Sequence, residues 1–453
     1  MKRILTAALV LLLSGVAAHG VTRPPVIRYV LDNGMTVILE ENHQMPWVSV
    51  NIFVRSGSSW EDDKTNGISH FSEHMFFRGT THRSGAETKA QIEALGGVTD
   101  AETTKDFTHF YVNVPSVHTQ EIMDILADAL INPALDPKAI DIERNAVDDE
   151  YKMDADGPMD ELEERLYQLA FKVHPYRMSV IGTEANILRW KQPDFIAWRH
   201  KFYVPERTAL VIVGDFDSDA LRPRIQEDFG PFASTGIAVA PLPPEPPIAQ
   251  TVTVRQPAKL HGGFALIGFR APSVTHFTDV CAVDVLTFML GQGKTSLLNK
   301  ALVTDKELAV QADLDFLTQR DDGMLVLSLA ASSDRLPAAE TAALDLLASV
   351  REGKFTDADL ERARQMVISE YSLGNETDAG EAGSLGFYEM IGKLDMASRY
   401  VDSVRHVSRE DVIAAARTYL GASYIQVTAL PRGMLGQGGD SPSTLPKPTT
   451  SVK

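Results

Sequence analysis

The sequence predicts an α+β protein folded twice over: two homologous α+β domains from an internal duplication, each an antiparallel-rich sheet packed by helices. Three observations carry this. From Val26 to Val213, segments with an apolar period of two alternate with segments of helical period. A proline cluster then interrupts the pattern. Pro231, Pro241, Pro243, Pro244, Pro246 and Pro247 fall within Pro231–Gln250, which can hold neither a helix nor a central strand and reads as a semi-rigid linker. Beyond it the first half recurs. Ile140–Tyr151 aligns with Leu360–Tyr371 at an offset of 220 residues (360 minus 140), with Ile/Leu, Arg, Val, Glu and Tyr coinciding. An amphipathic Leu-rich helix precedes each copy, Val117–Leu130 in one and Ala338–Val350 in the other.

The elements follow in order. Val26–Leu31 and Met35–Glu40 flank Asp32-Asn33-Gly34, and an Asn-Gly turn between apolar runs is a strong hairpin signal. Trp47–Arg55 alternates polar and apolar and gives a third strand. Gly67–Phe77 is a mostly buried helix, since Met75, Phe76 and Phe77 flank its polar residues. Ala86–Leu95 is a second helix, closed by Gly96-Gly97. Val98–Thr104 and Phe107–Val114 read as strands. Val117–Leu130, Pro137–Met153 and Met159–Phe171 read as helices. After a loop at His174-Pro175-Tyr176, Asp194–Phe202 is helical and Ala209–Val213 is a strand. In the second half Val285–Gly293 takes the place of the Gly67–Phe77 helix and holds no His or Glu. Gly291–Gly293 lacks phosphate-loop spacing and reads as a turn.

The N-terminus has basic Lys2 and Arg3, an apolar run Ile4–Leu13 and small residues through Ala18. This is the pattern of a signal peptide cut after Ala18, too short to span a membrane. The expected division is therefore a signal peptide at 1–18, an N-terminal catalytic domain at 19–230, a linker at 231–250, a C-terminal non-catalytic domain at 251–432 and a disordered tail at 433–453. The mature chain is expected in an exported compartment, periplasmic or secreted. The formal charge of −18 becomes −20 once Lys2 and Arg3 are removed, 41 basic residues against 61 acidic. Such a chain is a poor partner for nucleic acid or an anionic membrane. The acidity favours basic peptides or simply keeps the protein soluble. No later segment reaches transmembrane length. A single cysteine, Cys281, rules out an internal disulfide and a Cys-ligated metal.

The chemistry is concentrated in His70-Phe71-Ser72-Glu73-His74. At about 100° per residue, His70, Glu73 and His74 share one helix face. Two histidines at i, i+4 can hold one metal ion, and the intervening Glu can reach a water on it. The order His-x-x-Glu-His inverts the commoner His-Glu-x-x-His of zinc peptidases. A catalytic zinc takes three protein ligands, so a third lies elsewhere. On Pro137–Met153, Glu143 and Glu150 stand seven residues apart and share a face, and periodicity alone leaves either as the ligand.

The run His70–Thr80 resembles the pitrilysin/insulinase family of zinc metallopeptidases, closest to the branch of the mitochondrial processing peptidase β-subunit. The family places its third ligand, a Glu, about 76 residues beyond the second His, and Glu150 is 76 beyond His74. A functionally important Glu seven residues earlier matches Glu143. The family's catalytic base matches Glu73. His174-Pro175-Tyr176, Gly182-Thr183-Glu184 and Val213-Gly214-Asp215 are also similar, so the resemblance spans roughly residues 25–430. The family's substrate-pairing edge strand carries Asn-Ala where this chain has Asp100-Ala101. The resemblance implies a zinc endopeptidase with one Zn²⁺ per chain on His70, His74 and Glu150, acting on peptides or unfolded polypeptides. It also implies a homodimer, or a heterodimer with a second two-domain subunit, that closes a chamber. The rival readings are a non-catalytic partner subunit and a zinc-stabilised peptide-binding protein.

Overall fold

The computed structural model describes residues 25–433. The expected signal peptide, and the expected tail beyond Gly433, lie outside the described residues. The first half contains β1 (Ile27–Val30), β2 (Thr36–Glu41), β3 (Trp47–Val54), α1 (Ile68–His74), α2 (Gly85–Ala94), β4 (Val98–Thr103) and β5 (Thr108–Pro115). There follow α3 (Thr119–Ile131), α4 (Pro137–Asp156), α5 (Pro158–Ala170), α6 (Glu184–Arg189), α7 (Gln192–Phe202), β6 (Thr208–Gly214) and α8 (Ser218–Phe229). The strands form one sheet in the order β1-β2-β6-β3-β5-β4. Only β2 and β6 pair in parallel. The turn between β1 and β2 needs Gly34 at φ +97°, a conformation that side chains resist. β6 is buried along its whole length, as a central strand covered on both faces must be.

The second half contains β7 (Val252–Ala258), β8 (Gly263–Arg270), α9 (Phe277–Leu290), β9 (Gln311–Phe316), β10 (Met324–Ala331) and α10 (Leu336–Arg351). It ends with α11 (Asp357–Gly374), α12 (Asp378–Ile391), α13 (Asp395–Arg405), α14 (Arg409–Tyr419) and β11 (Ile425–Pro431). Its sheet runs β7-β11-β8-β10-β9, with β7 and β11 parallel and the other pairs antiparallel. Between the halves, Phe232–Ile248 runs without helix or strand. It is pinned rather than loose, because the Glu245 carboxylate accepts hydrogen bonds from the backbone N–H groups of Lys172, Val173 and His174 at 2.7–2.9 Å.

The helices are exchanged between the halves. α5 belongs to the first half but packs on the second sheet. Its Leu162 and Leu166, with Phe171 just beyond it, share a core with Leu266, Val427 and Ala429. α12 belongs to the second half but packs on the first sheet, where Leu385 joins a core with Phe53, Val211 and Val213. Each fully buried Leu or Phe contributes about 1.5–3 kcal/mol, so this interface is comparable to the interior of either half. At Gly386 an added Cβ would lie 2.0 Å from the buried Phe53 ring, so only glycine lets α12 approach so closely. Arg28 clamps the Glu389 carboxylate at 2.8 and 2.9 Å, and Arg55 donates to the Glu389 carbonyl at 2.7 Å. Among the described residues no helix is long and apolar enough to cross a membrane.

Candidate metal centre

Helix α1 is aimed by its surroundings. Phe71 is buried between Phe195 and Trp190, with ring centroids at 4.9 and 6.1 Å. With Phe71 held in the core, the face shared by His70, Glu73 and His74 is turned about 100° away from it, toward the cleft. The helix start crosses the 181–183 loop at van der Waals distance. Gly67 (φ +95°) and Gly182 (φ +89°) allow this, since a Cβ on either would come within 2.5 Å of the facing backbone oxygen, Ile181 O or Asn66 O. The first turn is capped by Glu61, which accepts from the N–H groups of Gly67 at 2.7 Å and Ser69 at 2.8 Å and from Asn66 Nδ2 at 3.0 Å. Burial pushes the Glu61 carboxyl up to about 7 against the opposing pull of these hydrogen bonds.

Helix α4 brings its two acids to the same place. Ile140 and Val147 anchor it in the core. Glu150 then reaches both imidazoles, with Oε1 at 3.7 Å from His70 Nε2 and Oε2 at 3.4 Å from His74 Nε2. One ligand atom from each of the three residues lies within 4.8 Å of the others. Glu143, 3% exposed, sits behind them. Its Oε2 meets His74 Nδ1 at 3.4 Å and its Oε1 takes Arg78 Nε at 2.9 Å. Glu73 is fixed by the Thr103 hydroxyl, which donates to Oε2 at 2.5 Å. Thr103 lies on β4, the edge strand of the first sheet, so that edge flanks the acid.

The electrostatics suit a cation. Burial, reinforced by neighbouring His74, lowers His70 to about 3, so its ring is neutral at neutral pH, the form that ligates metals. Burial also pulls His74 down. The hydrogen bond to Glu143 and the charges of Glu73, Glu150 and Glu143 more than offset this and raise it. Burial raises Glu73, partly opposed by the Thr103 hydrogen bond. Tetrahedral zinc, with bonds near 2.0–2.1 Å, sets its ligand atoms about 3.3 Å apart. The 3.4 and 3.7 Å separations, each to a different Glu150 oxygen, approach that spacing, and a donor set of two imidazoles and one carboxylate suits that ion. The Nδ1 atom of His70 is buried with no hydrogen-bond partner among the described residues.

His70, Glu73, His74, Glu143 and Glu150 are thus brought together. Ala101 lines the same cleft, together with Glu102, Thr103 and Lys105. Asp100 does not join them. It faces the other side of the sheet beside His109 and Tyr111, and its carboxylate accepts from the adjacent Ala101 N–H at 2.9 Å. Four contributors escaped the sequence reading: Glu61, Arg78, Thr103 and Lys105. Thr103 carried a usable signal, because it follows Ala101 by two on a predicted strand and so shares its face. Lys105 donates to the Met178 carbonyl at 2.9 Å and lies over the Tyr167 ring, and burial lowers it to about 8.

Known proteins share this fold. Residues 36–184 match the family described as insulinase, peptidase family M16, and residues 189–367 match the peptidase M16 inactive domain. The chain belongs to the M16 insulinase family. This M16 chain is 26% identical over 407 residues to the uncharacterized zinc protease YmxG of Bacillus subtilis, covering 90% of the chain and 98% of the relative. It is 24% identical over 427 residues to the zinc protease PqqE of Helicobacter pylori, covering 92% and 96%. Among solved structures, a protease from Helicobacter pylori superposes with a TM-score of 0.85 at 22% identity, covering 90% of this M16 chain and all of that one. A peptidase M16 inactive domain from Pseudomonas fluorescens gives 0.81 at 18%, covering 90% and 98%. At these identities the structural likeness speaks for the fold.

Proposed function

We propose that this chain is a zinc-dependent endopeptidase that hydrolyses peptides or unfolded polypeptides. One observation carries the reading: Glu150, far along the chain, meets both imidazoles of α1 at ligand distance while Glu73 stands free of that triad on the same face. His70, His74 and Glu150 would hold one zinc ion per chain, as the printed names of the relatives support. Bound there, zinc supplies Lewis acidity that activates water and polarises a peptide carbonyl.

The remaining work falls to side chains. Glu73 takes the proton of the attacking water on a carboxylate oxygen and returns it to the leaving amine nitrogen. Its raised pKa suits both steps, because a carboxylate of ordinary acidity would hold that proton too weakly. Thr103 fixes the Glu73 carboxylate through Oε2. Glu143, itself held by Arg78, orients the His74 ring through Nδ1. The outer edge of β4 has no partner strand among the described residues, so an extended substrate can pair with it. Ala101 stands in that edge, and Asp100 adds negative charge at its rear.

The test is direct. Purified protein is assayed for zinc by elemental analysis and for cleavage of an unfolded peptide. Zinc with cleavage supports the enzyme; zinc without cleavage supports a metal-stabilised binding protein; neither supports a non-catalytic partner subunit. The intact His-x-x-Glu-His run favours the first outcome. The proposal includes export to the periplasm or beyond, which N-terminal sequencing after Ala18 checks. It also includes a homodimer, or a heterodimer with a second two-domain subunit, and light scattering at micromolar concentration tests the homodimer.

A further inference from the structure

Behind β4, on the face opposite α1, a crevice of about 450 Å³ opens between the two halves. Its walls include Phe107 from the first half and Phe316, Leu317, Tyr371 and Phe387 from the second, with Glu102 at the rim. Glu102 also lines the cleft that holds His70 and Glu73, so the two spaces meet at one residue of the edge strand. The walls are mainly aromatic and aliphatic, with Asp284, Thr318, Asn375 and Ser384 among them. Tyr371 gives its hydroxyl to the Ala397 carbonyl at 2.9 Å, and Glu102 is held by His109 at 3.2 Å. Leu317 is 60% exposed although it lines the crevice, a large apolar side chain left wet.

Strand geometry connects this space to a substrate. Side chains along a strand alternate between faces. On β4, Thr103 points to Glu73, whereas Glu102 points to the rear, where His109 stacks on Phe53 with centroids 3.8 Å apart. A peptide paired to the outer edge of β4 continues the sheet and inherits the same alternation. The side chains next to the one over Glu73 must then point to the rear.

We propose that this interdomain crevice is a substrate subsite that takes one bulky apolar side chain, aromatic or leucine, within about two residues of the cleaved bond. It rests on the peptidase reading for the identity of its ligand as a peptide. It makes the non-catalytic half a contributor to specificity, because four of the five apolar walls named come from that half.

Gly383 provides the test. It lies on α12 and lines the crevice, and a Cβ added there meets nothing within 4 Å. Gly383→Leu therefore fills the space without a clash, and leucine favours the helix. Binding is measured by fluorescence anisotropy on chelator-treated protein, using peptides identical except for Phe, Leu, Ala or Asp scanned through each position. Cleavage of the same peptides by the zinc-loaded protein is followed by mass spectrometry. The expected result is a Phe or Leu peptide bound about tenfold more tightly than the Ala peptide at one position. Gly383→Leu should abolish that advantage and leave the Ala peptide unchanged. Cleavage with no such advantage, or an advantage that survives Gly383→Leu, overturns the subsite and leaves the peptidase standing. A Gly383-dependent advantage in binding without any cleavage keeps the subsite and removes the peptidase.

Discussion

β2-β6-β3-β5-β4 in the first half and β7-β11-β8-β10-β9 in the second run in the same order and directions. Five helices separate the last two strands of each half in sequence, α3–α7 in one and α10–α14 in the other. Within this shared frame the two copies part at two helices. α1 turns two imidazoles and a carboxylate to a cleft, whereas α9, between the corresponding strands, buries Val280, Val283, Val285, Leu286 and Met289. On α4 the buried Glu143 needs His74 and Arg78 beside it; at the same offset α11 has Ala363, buried and needing no partner. Burying an ion costs several kcal/mol unless partners offset it. The site half carries that cost and its compensations, while the other half uses the same positions for apolar packing.

Four measurements would break or sharpen this contrast. The largest effect is expected from Glu73→Gln, a loss of at least about 10³-fold in kcat with zinc content unchanged; retained turnover would remove Glu73 from its role. Next, His70→Ala, His74→Ala or Glu150→Ala should each release the metal, whereas Glu370→Ala on α11 should leave it bound, all read by elemental analysis. Third, Gly386→Leu should drive α12 off Phe53 and lower stability by about 3 kcal/mol or more in urea titration. Gly383→Leu three residues earlier should cost nothing. An equal response at both positions would mean α12 does not pack as described.

The smallest effect concerns Asp284. Burial pushes this acid up to about 7, opposed by the Tyr400 hydroxyl that donates to it at 2.6 Å. The folded state therefore binds the proton more tightly than the unfolded chain does. Stability from this group is full below the ordinary Asp range and is lost as pH rises through about 7. Asp284→Asn should thus gain thermal midpoint relative to the parent between pH 4 and 7. A difference that is flat with pH would contradict the shift.

Much of this was legible from sequence because the site is written locally. His70, Glu73 and His74 lie within one helical turn, and a period of 3.6 places them on one face without tertiary knowledge. Glu143 and Glu150 were visible as a pair, but their spacing could not rank them; the family resemblance singled out Glu150, and only coordinates show which carboxylate reaches both rings. Element ends shifted where local geometry intervened. The helix expected from Val117 begins as a 3₁₀ turn at Ser116–His118 and becomes regular at Thr119. Glu61 was illegible, since an acid six residues ahead of Gly67 has no periodicity to mark it. The helix exchange was illegible for another reason. Leu162 and Leu166 announce that α5 is buried, and an apolar stripe does not say against which sheet.

That exchange bears on how the protein comes into being. As the chain is synthesised, the rear of its first sheet lacks a cover until α12, ending at Ile391, has emerged, and β11 follows only at Ile425–Pro431. Native order in either half must therefore wait for nearly the entire polypeptide. The two copies should melt as a single cooperative unit, and a cut at the proline segment should yield fragments that aggregate through naked β surfaces instead of two working modules.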